Sequence, residues 1–348
     1  MMNTMKEPKT DTAEPVLKAL FLRGRNSALL LRVCLYGMFA VSLYVTLPDI
    51  VRHSIGREDM SSAPTLLACA SCDISGTGFA DMHIEARAAY VYDIKEEKVL
   101  FSKHAEAQLP LASLTKGMTA LVVREHISNN TSISISAEDL LVDGDSGLGL
   151  GERFLRDDLI DMMLSVSSND GAYALARTVG EQGETKENAL EVFVRMMNEH
   201  ARALGLSQTF FLNPTGLDES ASLAGAYGSA HDMALLYAYL YAHHADVIES
   251  TTYPTIVVSS SSRIHTLHNT NIIAENIPGL SGSKTGFTDL AGGNLVVIFE
   301  PEPLHPVVAV VLGSSIEGRF TDIATLVSAV TSFSPSDDIE ADVHDVLR

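Results

Sequence analysis

Two spacings of apolar residues divide the chain. The segments Ala88-Ala-Tyr-Val-Tyr-Asp93 and Val99-Leu-Phe-Ser102 are short and rich in β-formers, and they flank the polar stretch Ile94-Lys-Glu-Glu-Lys98. That pattern predicts a two-stranded hairpin. From Ser113 to about His244 the spacing becomes helical. One segment holds Ala120 to Val123, and others run over Asp157–Leu164, Ala172–Val179, Ala189–Ala203 and His231–Ala242. Strand patterns return after Pro278, at Ser281–Thr288, Asn294–Glu300 and Val307–Gly313. Gly292-Gly293 and Pro301-Glu-Pro303 mark the turns between them, and a helical stretch, Arg319–Ser332, follows. The order is strand pair, helical insert, strand triplet, helix. It predicts an α/β (α+β) fold: an antiparallel sheet built from both ends of the domain, flanked by helices, with an inserted all-helical lobe. The crevice between sheet and lobe is the natural place for a substrate.

The amino-terminal part follows another pattern. Val33 to Leu47 reads VCLYGMFAVSLYVTL without a charge. Ala28 to Val51 meets the length of a membrane span, about 17–25 residues, if Arg32 snorkels and Pro48 falls at the helix end. Lys18, Arg23, Arg25 and Arg32 lie on its amino-terminal side, while Arg52 and Arg57 beyond it are diluted by Glu58 and Asp59. The bias predicts a cytoplasmic amino terminus and an exported remainder. The expected organisation is a basic segment (1–27), an anchor (28–51), a stalk without sustained periodicity (52–84), the main domain (85–333) and an acidic tail (334–348). A cleaved signal peptide is the rival reading of the anchor, although Ser-Leu-Tyr before Val45 is a poor cleavage site. Either way the domain is exported.

Charge and cysteine content narrow the function. Lys plus Arg is 24 against 44 for Asp plus Glu, a formal charge of −20. Such a chain lacks the basic footprint that nucleic-acid binding requires. Part of the excess is local, in the tail carrying Asp337, Asp338, Glu340, Asp342 and Asp345. Cys34, Cys69 and Cys72 all precede the main domain, which excludes a disulfide framework or a thiol nucleophile within it. Cys69-Ala-Ser-Cys72 suits a small exposed disulfide or a fragment of a metal site.

Ser113-Leu-Thr-Lys116 follows Pro110 and opens the first helix of the insert. A spacing of three puts both side chains on one helical face, so the amine reaches the hydroxyl. Serine is a weak nucleophile until a base takes its proton. A helix amino terminus and a second nearby cation would both disfavour the charged form of Lys116. Ser281-Gly-Ser-Lys284 has the same spacing, so the motif alone is weak. Ser167-Ser-Asn169 could offer a proton-relaying hydroxyl and a substrate-holding amide, although helix capping also explains it. In Lys284-Thr285-Gly286 the lysine supplies a point charge and Thr a hydroxyl, while Gly admits a ligand close to the strand.

Taken together, in this order and context, these motifs resemble the S-x-x-K, S-D-N and K-T-G set of penicillin-binding proteins and serine β-lactamases. The likeness extends to Ala89-Tyr-Val-Tyr-Asp93, Leu109-Pro-Leu-Ala-Ser-Leu-Thr-Lys116 and Ser168-Asn-Asp170. It also includes Asn213-Pro-Thr-Gly-Leu-Asp218, His268-Asn-Thr-Asn271 and Gly282-Ser-Lys-Thr-Gly-Phe-Thr-Asp289. Over roughly Ala86 to Ser332 the chain resembles D-alanyl-D-alanine carboxypeptidases of the low-molecular-mass penicillin-binding class. That resemblance implies a peptidoglycan stem peptide ending in D-Ala-D-Ala as substrate, β-lactams as acylating inhibitors, and no cofactor or metal. It makes Ser113 the nucleophile, Lys116 its base and Ser167 the donor to the departing D-alanine. It has Asn169 hold the substrate and Lys284 and Thr285 grip its carboxylate, and it gives the oxyanion hole to the N–H groups of Ser113 and Phe287.

Two positions depart from the family pattern: Thr215 stands where His is usual, and Ser168 where Gly is usual. Many relatives also continue into a β-rich domain and an anchoring helix. The stretch after Lys284 suffices only for the remaining strands and one helix, which leaves membrane attachment to the amino-terminal segment. Other readings stay open. A β-lactamase would need a deacylating water, and Glu184 and Asn188 have the spacing to hold one. A transpeptidase or endopeptidase would use the same site, and a non-catalytic peptidoglycan-binding protein is a further alternative. His243-His244 and His265-Thr-Leu-His268 are the densest histidine groups and lack carboxylate partners at ligand spacing.

Overall fold

The computed structural model describes residues 79, 82–144, 146–182 and 188–332. The anchor, nearly all of the stalk, the three cysteines, Glu184 and the acidic tail lie outside the described residues.

A five-stranded antiparallel sheet forms the centre, in the order β10-β11-β12-β1-β2. Its strands are β1 (Ala88–Asp93), β2 (Lys98–Lys103), β10 (Leu280–Thr288), β11 (Gly292–Glu302) and β12 (His305–Ser314). β1 and β12 pair with Ala88 opposite Leu312 and Asp93 opposite Val307, joining the two ends of the domain. Residues 307–312 are buried without a break because both faces of the sheet are covered. Val308, Val310 and Leu312 pack with the helical lobe. Val307, Ala309 and Val311 pack towards α6 (Gly318–Ser332) on the other face.

Five helices lie between the two halves of the sheet: α1 (Lys116–His126), α2 (Arg156–Ser165), α3 (Asn169–Gly180), α4 (Ala189–Ala203) and α5 (Ala230–Ile248). Polar side chains start three of them. Ser168, Asn188 and Ser229 accept from Gly171 N, Leu190 N and Asp232 N, satisfying donors that a helix start leaves free. Shorter pairings complete the fold. β4 (Ser132–Ser134) pairs with β5 (Arg153–Leu155), and β8 (Thr255–Ser259) with β9 (Ile264–His268). The third set is β3 (Leu109–Pro110), β7 (Ala226–Gly228) and β6 (Phe210–Phe211). Among the described residues no helix is long and apolar enough to cross a membrane.

One boundary needs correction. Phe79 and Ile84, within the stretch expected to be stalk, are buried, and the Phe79 ring stacks on Phe101 at 5.5 Å. Asp322 of α6 also accepts from Glu85 N and Ala86 N, each at 2.8 Å. Core packing therefore begins before residue 85. Isolated apolar anchors between Gly and polar residues carry no periodicity by which to recognise them.

Candidate active site

Ser113 lies in a tight 3-10 turn, Ala112–Thr115, that feeds directly into α1. Ala112 has a positive φ of 47°, a conformation that an alanine adopts only under constraint from its surroundings. The amine of Lys116, wholly buried, has three oxygen neighbours: Ser113 Oγ at 2.7 Å, Asn169 Oδ1 at 2.7 Å and Thr215 O at 3.2 Å. An ammonium donates to all three. A neutral amine has only two protons; if Asn169 and the Thr215 carbonyl, which can only accept, take them, the lone pair faces the Ser113 hydroxyl. The pKa of Lys116 is held well below that of a free lysine, first by burial and then by the charge of Lys284. Burial, ahead of the neighbouring cation, thus favours the neutral amine.

Asn169, expected to hold substrate, has both ends of its amide committed. Besides accepting from Lys116, it donates through Nδ2 to Asp143 O at 2.7 Å. Its position at the start of α3 therefore fixes the amine.

A second network adjoins the first. Ser167 occupies the α2–α3 connection with φ of 61°, another left-handed non-glycine residue. Ser168 takes over the capping of α3, which leaves the Ser167 hydroxyl free to accept from Lys284 Nζ at 3.0 Å. Lys284 Nζ also donates to Thr285 O at 2.9 Å. Burial and the nearby Arg319 guanidinium lower the Lys284 pKa to about 7. Thr285 Oγ1 lies 2.6 Å from Thr270 Oγ1, and Thr270 N donates to Ser165 O at 3.0 Å, tying β10 to the α2–α3 connection. Arg319 reaches from α6 to donate to Gly286 O at 2.8 Å.

Strand β10 runs against the nucleophile turn. A Cβ placed on Gly286 would stand 3.0 Å from Leu111 O and 3.1 Å from Ser113 N. A side chain there would press β10 away from the Ser113 amide by a few tenths of an ångström, so glycine favours the close approach. Phe287, the next residue, is partly exposed.

The turn Asn213-Pro-Thr-Gly-Leu-Asp218 secures the same region. Thr119 Oγ1 donates to Pro214 O at 2.6 Å, and Asp218 accepts from Thr288 Oγ1 at 2.9 Å and Leu290 N at 3.2 Å. The departure at Thr215 leaves the base intact because Lys116 uses its carbonyl. The Thr215 hydroxyl is turned away, donating to Asn213 Oδ1 at 3.0 Å. Asn294 completes the frame by donating to Pro110 O at 3.0 Å.

Three contributors were not assigned roles from sequence: the Thr215 carbonyl, Thr270 and Arg319. Thr270 lay within a noted motif, and Arg319 read only as the first turn of a helix. Asn188 caps α4, its Oδ1 accepting from Leu190 N at 2.9 Å. Contrary to the expectation that it lacks a carboxylate partner, His265 donates through Nε2 to buried Glu152 Oε1 at 2.8 Å, while His243 packs on the Tyr239 ring.

Comparison with known proteins follows this geometry. A family model described as D-alanyl-D-alanine carboxypeptidase, Peptidase S11, matches residues 76–315. The D-alanyl-D-alanine carboxypeptidase DacF of Bacillus subtilis is 30% identical over 247 residues, 69% of this chain and 60% of that protein. The D-alanyl-D-alanine endopeptidase of Escherichia coli is 28% identical, over 64% of this chain and 70% of that protein. Among solved structures, penicillin-binding protein D2 of Listeria monocytogenes in its ampicillin-bound form aligns with a TM-score of 0.60 at 29% identity. That match covers 72% of this chain and 98% of the other. The chain thus spans about three fifths of the length of the DacF relative. Motif order, fold and family match agree, and the chain belongs to the Peptidase S11 family of D-alanyl-D-alanine carboxypeptidases.

Proposed function

We propose that the chain is a serine D-alanyl-D-alanine carboxypeptidase acting on peptidoglycan stem peptides. The substrate carboxylate is drawn to Lys284 and Thr285, where the buried amine has no carboxylate bonded to it among the described residues and Arg319 adds to the field. The carboxylate raises the Lys284 pKa and so secures its charge. Ser113 Oγ attacks the penultimate carbonyl while its proton passes to the neutral Lys116 amine. The N–H groups of Ser113 and Phe287 stabilise the oxyanion, an effect typically worth about 3–4 kcal/mol per donor. Ser167, within hydrogen-bond distance of Lys284, returns a proton to the departing D-alanine. The proton that Lys116 took from Ser113 replaces the one Ser167 gave up, so the amine is neutral again and deprotonates the water that opens the acyl-enzyme.

One observation carries this reading: the buried amine of Lys116, with its lowered pKa, stands 2.7 Å from the Ser113 hydroxyl. β-Lactams would acylate the same hydroxyl. Cleavage of cross-links by the same apparatus is a second reading, favoured by the likeness to an endopeptidase over 70% of that protein's length. We also propose that residues 28–51 anchor the chain with the domain outside the cytoplasm, on the strength of their uncharged core and flanking basic residues.

The test is to expose the protein to a fluorescent penicillin and, separately, to a peptide ending in D-Ala-D-Ala and a cross-linked muropeptide. Stable labelling with D-alanine release, both lost in Ser113→Ala, is the expected result. Rapid penicillin turnover, or no labelling of the unmutated protein, would overturn it.

A further inference from the structure

A second group of ionisable side chains converges outside the active-site networks, where the β2–β3 connection meets the start of α5. Glu106, His231 and Asp232 each offer one ligand atom, and the three atoms lie within 4.8 Å of one another. His231 Nδ1 is 3.1 Å from a Glu106 carboxylate oxygen and 3.7 Å from Asp232 Oδ1. Despite this proximity, His231 Nδ1 and Asp232 Oδ1 are both buried atoms with no hydrogen-bond partner among the described residues. Asp232 itself is 0% exposed.

A purely structural role explains only half of Asp232. Ser229-x-x-Asp232 has the spacing of a capping box, and Ser229 Oγ accepts from Asp232 N at 3.0 Å. The carboxylate, however, turns Oδ2 to Gln208 N at 2.7 Å and Thr209 Oγ1 at 2.8 Å. The other oxygen, Oδ1, is left towards His231. A buried carboxylate oxygen that faces an imidazole nitrogen and a second carboxylate, and forms a hydrogen bond with neither, suits a cation.

The spacing also suits a metal. Ligand bonds of about 2.0–2.1 Å in tetrahedral geometry put neighbouring ligand atoms about 3.3 Å apart, and 3.1 and 3.7 Å bracket that value. The surroundings hold the donors in place. The Tyr90 ring meets the imidazole edge-on at 5.3 Å. His231 N donates to Ala105 O at 3.1 Å, and Gln108 Nε2 donates to Gln208 O at 2.7 Å. The Glu106 side chain is 63% exposed, giving an ion a path of entry and room for water. One imidazole and two carboxylates match borderline first-row dications better than soft monovalent ions, and the two negative charges balance the dication.

We infer that Glu106, His231 and Asp232 form a divalent-metal site of the zinc class, stapling the β2–β3 connection to the start of α5. Its role is structural. β3 follows this connection, pairs with β7 and leads through Leu111 and Ala112 to Ser113. An ion here therefore steadies the segment that enters the nucleophile turn, and it takes no part in acyl transfer.

The test uses the full chain, stripped of metal by chelator dialysis and then titrated with Zn²⁺ by calorimetry and with Co²⁺ by visible absorption. One equivalent is expected to bind and to raise the thermal midpoint. The Co²⁺ spectrum should show ligand-field bands without thiolate charge transfer, which separates this site from Cys69 and Cys72. Glu106→Gln and His231→Gln should each weaken Zn²⁺ by at least about tenfold and remove the bands. Labelling of Ser113 by a fluorescent penicillin should persist in both variants and without metal. Glu106 is exposed, so its variant tests the site without threatening the core. Absence of binding, thiolate bands alone, or an affinity unchanged in Glu106→Gln would overturn the inference.

Discussion

Asn169 Oδ1 and Ser113 Oγ stand at the same 2.7 Å from the amine of Lys116, one on each side of the base. An amide oxygen there accepts a proton from the amine without supplying a full negative charge. Asn169→Asp would supply one and hold the ammonium form. Penicillin acylation at neutral pH is expected to fall by about 100-fold or more. The rising limb of its pH profile should also move upward by about a unit or more. A variant with lower activity but an unmoved limb would show that Asn169 does not govern the base.

Lys284 links the site to stability. Its native pKa of about 7 lies below the 10.5 of an ordinary lysine, so between those values the unfolded chain binds a proton that the native state does not. Stability attributable to this group therefore rises with pH across that window, and the full cost of burying the charge is felt below it. Lys284→Met removes the cost. Urea unfolding should find the variant more stable than the parent at about pH 6, with the advantage shrinking towards about pH 10. An equal difference at both pH values would contradict this account, whatever happens to activity.

Ser167 combines a useful hydroxyl with an unfavourable backbone. Glycine adopts its φ of 61° without steric cost. Ser167→Gly should leave unfolding free energy within about 1 kcal/mol of the parent, because relief of the backbone offsets the lost bond to Lys284. Release of D-alanine should fall by about 10²- to 10⁴-fold. Retention of release by a well-folded variant would remove Ser167 from the proton path.

Gly286 tests the closeness of β10 to the nucleophile. The atoms that a Cβ would approach, Leu111 O and Ser113 N, are backbone and cannot rotate aside. Gly286→Val should fold, since the strand's β11 pairing is retained, but lose penicillin labelling; Gly286→Ala should lose less. Labelling at the parent rate in the valine variant would show that this contact does not set the oxyanion geometry.

The sheet and the helices were legible wherever apolar spacing ran for a full element. The hairpin from Ala88, the strands after Pro278 and α4 all stand where the spacing put them, within a few residues. Two- and three-residue strands such as Leu109–Pro110 were not legible, because so short a pairing has no period. Motif spacing anticipated the contact of Ser113 with Lys116, which is local to one turn. It could not reveal that Thr215 turns its carbonyl to Lys116, or that Thr270 bonds Thr285, because both contacts depend on tertiary approach. Which neighbours claim the Asn169 amide likewise depends on tertiary approach.

The pairing of β1 with β12 has a consequence for when the enzyme comes into being. Ala88 finds its partner only at Leu312, so the central sheet cannot close while the chain is still being synthesised up to that point. Ser113 is made first, and Lys284, Thr285 and the strands that support them follow about 170 residues later. Contacts so distant in sequence make folding slow relative to local helix formation. A nascent chain would thus carry Ser113 for that whole interval without Lys284 beside the turn, and the two halves of the site would come together only when the sheet closes.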